Sequence, residues 1–275
     1  MRNQKIAFIG AGNMASALIR GLVKEGFPPK SLWATDLSDE KLTALEQQCG
    51  INTSGQNTAI IPHVDIVVIA VKSQLMKVVC NEIATAVQQR KPLVISVAAG
   101  IRVDDIAKWL GAQTAIVRAM PNTPALIKAG ATGLYSNANV TDIQKDLSEE
   151  IMRAVGLVLW VNKEIDMDLI TALSGSGPAY FFRIMESLVT SAANLGLDPN
   201  TARILTLQTA FGAAKLALEC EDDLATLREN VTSPGGTTEK GLEVLQTNGI
   251  DDLLKQVLEA ASTRAAELSN EFGEK

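Results

Sequence analysis

The chain has 275 residues, of which 47% are hydrophobic, 20% charged and 4% aromatic, and its formal net charge at pH 7 is −6. This length provides enough apolar material for two domains with buried cores. The acidic balance and the absence of a Lys/Arg block argue against polyanion binding, and the few aromatic residues argue against base stacking.

The cysteine and histidine content narrows the chemistry further. Cys49, Cys80 and Cys220 are far apart and form no CxxC pair, which predicts reduced thiols that act as small buried apolar residues. His63 alone cannot build a metal site or, without a supporting motif, a catalytic triad, so no metal is predicted. No run has the length of a membrane span, and the start of the chain does not resemble a signal peptide, so we expect a soluble, cytoplasmic protein.

Residues 1–162 alternate short β-rich runs with segments of helical periodicity. Strands are predicted at 5–10, 31–36, 65–71, 93–99 and 114–120, and two further runs, 131–136 and 157–161, can extend the sheet. Helices are predicted between these strands, the last from about 142 to 155. This alternation predicts an α/β fold with a Rossmann-like, doubly wound parallel sheet covered by helices on both faces.

After Asn162 the strand patterns stop, and the remaining segments have helical periodicity with Gly and Pro between them. Their long helices are rich in Ala, Leu and Ser, which favours close packing and a symmetric dimer. We therefore predict a dinucleotide-binding domain at 1–162 and an all-α domain for dimerisation at 163–275.

The first predicted strand runs into GAGNMA, which begins the first predicted helix. In this strand–turn–helix context GxGxxA is the dinucleotide-binding fingerprint, although a glycine-rich turn without a ligand is an alternative. Gly10 permits the tight turn, Gly12 lets a diphosphate approach the backbone, and Ala15 keeps helix and strand close. The cofactor contacts predicted here are Ile9, Gly10, Ala11, Gly12, Asn13 and Met14.

Asp36 ends the second predicted strand, 24 positions after Gly12. A carboxylate at this position can accept hydrogen bonds from both ribose hydroxyls of NAD, and it repels the 2′-phosphate of NADP. Asp36 therefore favours NADH over NADPH. The alternative is that Asp36 is the N-cap of the next helix, a role that Ser38 or Asp39 would fill equally well.

Three loops follow predicted strands at the edge where an open α/β sheet binds its ligand. They are residues 71–73, 97–100 and 118–124. Lys72 in the first loop is expected to contact the cofactor, the alternative being a solvated lysine. Two prolines in the third loop would hold the amides of Asn122 and Thr123 near a nicotinamide, and a purely structural turn explains those prolines equally well.

Two segments of the helical half combine a helix start with small residues. In LSGSGPAY, at 173–180, Ser176 is expected as an N-cap, and the small residues would also permit close approach to a cofactor. In NVTSPGGTTEKG, at 230–241, Ser233 and Pro234 are expected as the N-cap and first helical position. The two glycines and two threonines that follow expose amides and hydroxyls, which predicts a site for a small carboxylate.

The motifs GAGNMA, AVKS, SVAAG, RAMPNTP, SGSGPAY and NVTSPGGTT, in this order and at these separations, closely resemble the pyrroline-5-carboxylate reductase family. The resemblance covers essentially the whole chain, and its last block is highly specific. It implies hydride transfer from NAD(P)H to the C=N carbon of 1-pyrroline-5-carboxylate, which gives proline in the last step of proline biosynthesis. It also implies that the helical domain binds the substrate and dimerises, often within larger rings.

The resemblance also implies roles for individual residues. Thr238 would be catalytic through a hydrogen bond to the ring nitrogen, and the amides around Gly236, Thr237 and Thr238 would hold the carboxylate. The other implied substrate contacts are Glu164, Glu221, Ser233 and Gly235, and the implied cofactor contacts are Asn57, Val71, Lys72, Ala99, Asn122 and Asn230. A cyclic imine is readily protonated, so its reduction needs orientation rather than a strong acid. Asp36 departs from the family, which commonly has a small hydroxyl residue there.

Two other classes of protein share parts of this pattern. A 3-hydroxyacid dehydrogenase has the same architecture, but that family places a lysine on the helix after its glycine-rich interdomain motif, where PAYFFRIMES has only Arg183. A non-catalytic nucleotide-binding protein would keep GAGNMA but has no reason to keep 235–238.

Overall fold

A computed structural model describes residues 4–274 of the chain, which form two compact units. The first, here called the sheet unit, combines the residues up to Ser176 with those from Ala260 onwards. The second, the helical unit, is Gly177–Glu259.

The sheet unit contains one eight-stranded sheet with the strand order β3-β2-β1-β4-β5-β6-β7-β8. The strands are β1 (Ile6–Ile9), β2 (Leu32–Thr35), β3 (Asn52–Ser54), β4 (Ile66–Ile69), β5 (Leu93–Ser96), β6 (Ile116–Met120), β7 (Gly130–Ser136) and β8 (Gly156–Trp160). The order reverses between β1 and β4, which is the switch point at which Rossmann folds bind dinucleotides.

The helices of the sheet unit are α1 (Asn13–Lys24), α2 (Asp39–Cys49), α3 (Asn57–Ile60), α4 (Met76–Arg90), α5 (Val103–Leu110), α6 (Asp142–Arg153) and α7 (Asp166–Ile170). A π-helical turn, Thr171–Gly175, follows α7. The helical unit contains α8 (Gly177–Asn194), α9 (Pro199–Glu219), α10 (Leu224–Asn230), α11 (Thr237–Thr247) and the first residues of α12 (Ile250–Glu274).

Both faces of the sheet are buried, as the continuous Val/Ile runs predicted. Phe8 and Val68 belong to the core cluster that includes residues of α1, α2 and α6. Ile9 and Val67, one position along each strand, belong to a second cluster with residues of α4 and α5. Since successive side chains of a strand point to opposite faces, such strands must be apolar throughout.

The seven predicted strands are all present, with two differences. β3 was not predicted because its three residues, Asn52–Ser54, are polar and half-buried at the edge of the sheet. β7 is antiparallel to β6, whereas every other neighbouring pair is parallel. The chain between β6 and β7 contains only a 3-10 turn at Thr123–Ile127, which is too short for the crossover that a parallel pair requires.

The compact units divide at Ser176, later than the predicted boundary at residue 162. Hydrogen bonds attach the intervening segment to the sheet unit, for example from the Val103 amide to the Glu164 carboxylate at 2.8 Å. The end of α12 also belongs to the sheet unit, where Phe272 packs against the second core cluster. The assignment of functions to 1–162 and 163–275 stays a prediction.

The helical unit has almost no interior of its own. Of its residues, all of which the structure describes, only Gly177 and Ala202 are buried in the single chain. Its exposed large apolar side chains include Phe181, Phe182, Ile184, Leu188, Ile204, Leu205, Phe211 and Leu216. An apolar surface of this extent marks a protein interface, which supports the predicted dimer. Within residues 4–274, no helix combines the length and apolar character that crossing a membrane requires.

We expect the apparent Tm of the protein to rise with protein concentration. A helical unit without a core gains its burial from a second chain, so mass action should stabilise it by about 2.7 kcal/mol for a hundredfold increase in concentration. Melting followed by circular dichroism at several concentrations measures this effect. A Tm that does not change over that range would contradict it.

Candidate active site

The Gly-rich turn after β1 has the geometry that a diphosphate requires. Gly10 has φ +96°, and a Cβ there would lie 2.7 Å from the Ala70 carbonyl oxygen, so only glycine fits. Gly12 is the N-cap of α1, and nothing lies within 4 Å of the position of its missing Cβ. No side chain caps the first amides of this helix, and fully buried Ala15 lets α1 pack close to the strand. The open space and the helix start together fit a bound diphosphate.

Asp36 is held beside this turn. Its Oδ2 accepts a hydrogen bond from the Ala11 amide at 2.8 Å, and its Oδ1 accepts from the Ser38 amide at 3.0 Å and lies 3.5 Å from Lys41 Nζ. Burial opposes ionisation of Asp36, but the two amides and Lys41 outweigh it and lower its pKa. The N-cap of α2 is Ser38, so the alternative that Asp36 caps this helix is wrong.

Asn57, at the start of α3, is bonded at both ends of its side chain. The Thr35 hydroxyl donates to Asn57 Oδ1 at 2.6 Å, and Asn57 Nδ2 donates to Glu82 Oε2 at 3.0 Å. One amide hydrogen of the side chain therefore remains for a ligand.

The loops after β4 and β5 are joined to each other. The Ser73 hydroxyl donates to the Ala99 carbonyl at 2.6 Å, which brings these two predicted loops together. Lys72 and Ala99 are exposed at this edge, whereas Val71 packs partly against the core.

The loop after β6 is fixed by the side chain of Asn122. Its Oδ1 accepts from the Ala131 amide at 2.9 Å, and its Nδ2 donates to the Ser174 carbonyl at 3.1 Å. Asn122 thus connects this loop to β7 and to the π-helical turn. Ser176 has helical backbone angles, φ −86° and ψ −21°, so the prediction that it is an N-cap is wrong.

Sequence reasoning did not identify the buried ion-pair cluster around Arg118. Arg118, which is 2% exposed, lies 3.2 Å from Glu164 Oε1 through Nη1 and 3.5 Å from Asp168 Oδ1 through Nη2. Glu164 Oε1 also accepts from the Val103 amide. Burial raises the pKa of Glu164, although Val103 and Arg118 act in the opposite direction. A charged residue inside the apolar run IVRAM is the signal that indicates such a partner.

In the helical unit, the segment before α11 forms a turn rather than the predicted cap. The Gly236 amide donates to the Ser233 carbonyl at 2.9 Å across Pro234 and Gly235, and Gly235 has φ +72°. The N-cap of α11 is Gly236, so the prediction that Ser233 is the N-cap is wrong. A Cβ at Gly236 would lie 2.9 Å from the Ser233 carbonyl oxygen. The turn therefore explains both glycines without reference to a ligand.

The first amides of α11 have no cap within the described chain. Gly236 has no side chain, no side chain caps this helix start, and the Gly235 amide donates to Glu239 at 2.8 Å. Thr237 and Thr238 are the first two helical residues and are both exposed. Their amides and hydroxyls are the donors that this helix start presents. Two other predicted site residues, Glu221 and Asn230, are exposed and lie before and at the end of α10, respectively.

We expect Arg118→Met to lower the free energy of unfolding by about 3–5 kcal/mol at pH 7, because buried Asp168 and half-buried Glu164 lose their cation. The pKa of Glu164 is raised in the folded protein, so the folded state holds its proton more tightly than the unfolded state does. Ionisation of Glu164 therefore destabilises the fold at a pH above the folded pKa, and this cost disappears at a pH below the unfolded pKa of about 4.3. The deficit of the variant should therefore shrink as the pH falls from 7 towards 4. Urea denaturation at several pH values measures it.

Arg153→Met is a matched control, since Arg153 forms an exposed pair with Glu149 on α6. It should cost less than about 1 kcal/mol. A pH-independent deficit in Arg118→Met, or one no larger than that of the control, would contradict the role of the cluster.

Comparison with known proteins places this arrangement in a family. Residues 164–268 match a family model described as pyrroline-5-carboxylate reductase dimerisation, and residues 5–100 match one described as NADP oxidoreductase, coenzyme F420-dependent. Pyrroline-5-carboxylate reductase of Pseudomonas aeruginosa is 44% identical over 274 residues, which cover 100% of both chains. That of Vibrio alginolyticus is 41% identical over 99% of this chain and 100% of its own.

Solved structures agree with these relatives. The pyrroline-5-carboxylate reductase of Coxiella burnetii has 48% identity and a TM-score of 0.94, covering 97% of this chain and 98% of that one. The Plasmodium falciparum pyrroline carboxylate reductase with NADP bound has 31% identity and a TM-score of 0.86, covering 98% and 99%. A full-length match at this identity, on the same fold, is decisive: the chain belongs to the pyrroline-5-carboxylate reductase family.

Proposed function

We propose that this chain reduces 1-pyrroline-5-carboxylate to L-proline with NAD(P)H, the last step of proline biosynthesis. The observation that carries the proposal is the start of α11, where the amides and hydroxyls of Thr237 and Thr238 are exposed and uncapped. The full-length similarity to reductases of this name supports the same activity. A decrease in absorbance at 340 nm that requires both this substrate and the protein tests the proposal directly, because the reaction itself consumes NAD(P)H.

The sheet unit would hold the dinucleotide. The amides of Gly12, Asn13 and Met14 suit the diphosphate, since those of Gly10 and Ala11 already donate to the Thr35 carbonyl and to Asp36. The Asp36 carboxylate suits the hydroxyls of the adenosine ribose, and Lys72 and Ala99 line the neighbouring loops. The open space over Gly12 supports this assignment. When bound, NAD(P)H supplies the hydride for the C=N carbon.

The helical unit would hold the substrate by its carboxylate. The free amides of Thr237 and Thr238 form the positive end of the α11 dipole, which favours an anion. The Gly236 amide donates to the Ser233 carbonyl within the turn, so the carboxylate site has one free amide fewer than the sequence predicted. The Thr238 hydroxyl would then hydrogen-bond the ring nitrogen and set which face of the ring is presented.

The remaining predicted contacts differ in their support. Glu221, a predicted substrate contact, and Asn230, a predicted cofactor contact, are both exposed near α10. The contacts of Glu164 with Arg118 and Val103 favour a structural role within the sheet unit instead. The dehydrogenase alternative has no support, because α8 contains no lysine to act as a base.

We also propose that the enzyme prefers NADH. The lowered pKa of Asp36 keeps a negative charge beside the Gly-rich turn at neutral pH, and its nearest cation, Lys41, is already paired with it. A 2′-phosphate at this position would meet that charge. The Plasmodium falciparum relative was solved with NADP, so the preference concerns this chain and not the family.

The test of this preference is Asp36→Asn, which removes the charge but keeps an oxygen that can accept from the Ala11 amide. We expect the ratio of kcat/KM for NADPH to that for NADH to rise about 5- to 30-fold, since the repulsion is on the order of 1–2 kcal/mol. Asp39→Asn, a change of the same charge on exposed Asp39 nearby, is the matched control. A wild-type ratio at or above one would reject the NADH preference, and equal ratios in wild type and Asp36→Asn would reject the role of Asp36 in it; neither result bears on the reductase activity itself.

The test of the substrate site is Thr238→Ala. Loss of one oriented hydrogen bond should lower kcat/KM for the imine about 30- to 1000-fold, or roughly 2–4 kcal/mol of transition-state stabilisation. Cofactor affinity and Tm should be nearly unchanged, because Thr238 is exposed and does not cap the helix. Thr247→Ala, at the other end of α11, is the control. Wild-type turnover in Thr238→Ala would show that the start of α11 does not bind the ring.

A further inference from the structure

The loop after β5 has one residue that is open to a ligand and a neighbour that is covered by protein. Ala99, one of the predicted cofactor contacts, is exposed at the carboxyl edge of the sheet, whereas Gly100 is buried. Gly100 has φ +69°, the left-handed conformation that favours glycine, so the chain turns at this point. Whatever covers Gly100 therefore also determines where Ala99 lies.

The end of α12 provides this cover. A Cβ placed on Gly100 would lie 3.3 Å from Leu268 Cβ and 3.5 Å from Phe272 Cδ2. The helix thus packs directly on the backbone of the loop, with little room between them. The loop and this end of the helix belong to the same compact unit, the sheet unit.

The last turns of α12 carry a stripe of buried and half-buried residues on one face. The stripe has the helical spacing i, i+3, i+4 and i+7, and its residues are Ala265, Leu268, Ser269 and Phe272. The Ser269 hydroxyl is buried but donates to the Ala265 carbonyl at 3.1 Å, so its hydrogen bond is formed within the helix. The stripe indicates that this end of the helix is fixed by packing against the sheet unit.

A second contact fixes the same end of the helix to α5. A Cβ at Gly273 would lie 2.6 Å from Asp105 Oδ2, so the helix end lies against the first turn of α5. Phe272 also packs against the core cluster that contains Ile101 and Val103, the residues that follow the loop. The end of α12 therefore holds both the loop after β5 and the helix to which the loop leads.

Hydrogen bonds hold the two ends of this loop. The Ser73 hydroxyl donates to the Ala99 carbonyl at 2.6 Å, and the Val103 amide donates to Glu164 at 2.8 Å. Phe272 lines a small cavity together with Ser73, so the helix end lies close to the first of these bonds. The bonds fix the ends of the loop, and α12 covers its middle.

We propose that Phe272 is a positioning residue for the dinucleotide, because it holds the loop after β5 in the conformation that presents Ala99 to the cofactor. This inference rests on the proposed function, since it assumes that the sheet unit binds NAD(P)H. Phe272 lies outside the segment 164–268 that matches the dimerisation model. Without Phe272 the loop would have more conformations available, and a bound dinucleotide would have to order it at a cost in affinity.

The test is Phe272→Ala in the full chain, titrated with NADH and with NADPH in the absence of the imine and followed by nucleotide fluorescence. We expect the Kd of the nucleotide to rise about tenfold, because the released loop must be ordered on binding. The KM for the nucleotide should rise in parallel. At saturating nucleotide, kcat and the KM for the imine should be unchanged, a separation that a general loss of structure would not produce.

Two further variants serve as controls. Val87→Ala truncates a fully buried residue of the same core cluster, in the last turn of α4. Since α4 leads from the end of β4 back to the start of β5, Val87 lies towards the amino edge of the sheet, and its truncation should lower the Tm without changing the Kd. Phe272→Tyr keeps the ring against Gly100 and should bind the nucleotide with the wild-type Kd.

Circular dichroism establishes that each variant is folded. An unchanged Kd in folded Phe272→Ala overturns the inference, as does an equal rise in Val87→Ala or in Phe272→Tyr. Should Phe272→Ala not fold, the smaller truncation Phe272→Val decides: a raised Kd supports the inference and an unchanged one overturns it. A wild-type protein that binds neither nucleotide would overturn the proposed function and this inference together. A wild-type protein that binds NAD(P)H and reduces the imine, with no change of Kd in the variant, would overturn this inference alone.

Discussion

The helical unit depends on burial that its own chain does not provide. Only two of its residues, Gly177 and Ala202, are buried, and neither contributes a large side chain. Apolar burial is the dominant favourable contribution to folding, at about 25 cal/mol per Å². The exposed apolar faces of helices α8 to α11 agree with the match of residues 164–268 to a dimerisation family, and burial in a dimer would stabilise them. Assembly and folding of this unit would then be one equilibrium rather than two.

The sheet unit, in contrast, has two full cores, and its loops are held by side chains. The Ala11 amide binds Asp36, the Ser73 hydroxyl binds the Ala99 carbonyl, and Asn122 binds the π-helical turn. These bonds fix loops at the carboxyl edge of the sheet before any ligand arrives. A dinucleotide then loses little free energy to loop ordering on binding.

Short sequence patterns predicted those elements whose structure depends mainly on residues close together in the chain. The Val/Ile runs gave the central strands, and GAGNMA gave the turn with its positive φ at Gly10. β3 has no such pattern, because an edge strand of three half-buried polar residues is not distinguished from a loop. The direction of β7 was not predicted either, since alternation of strands and helices carries no information on direction once the connection is short.

The site was predictable to a similar extent. The donors at Thr237 and Thr238 follow from a helix start, but the role of Ser233 was wrong because the tight turn at 233–236 competes with capping. The partners of Arg118 lie 46 and 50 residues away in the sequence, beyond any periodic pattern. Tertiary packing determines such distant polar pairs. It also explains why the sheet unit ends at Ser176 and not at the predicted residue 162.

The return of α12 to the sheet unit affects the order in which the protein can be built on the ribosome. Leu268 and Phe272 are the side chains nearest to Gly100, in the loop after β5, and they are made only after the whole helical unit has emerged. Domains generally fold as units from the amino terminus during synthesis, at about 5–20 residues per second. Until α12 is made, the surface of the nascent Rossmann sheet around Gly100 stays uncovered while the apolar helices appear, so the growing chain has two exposed apolar surfaces at once.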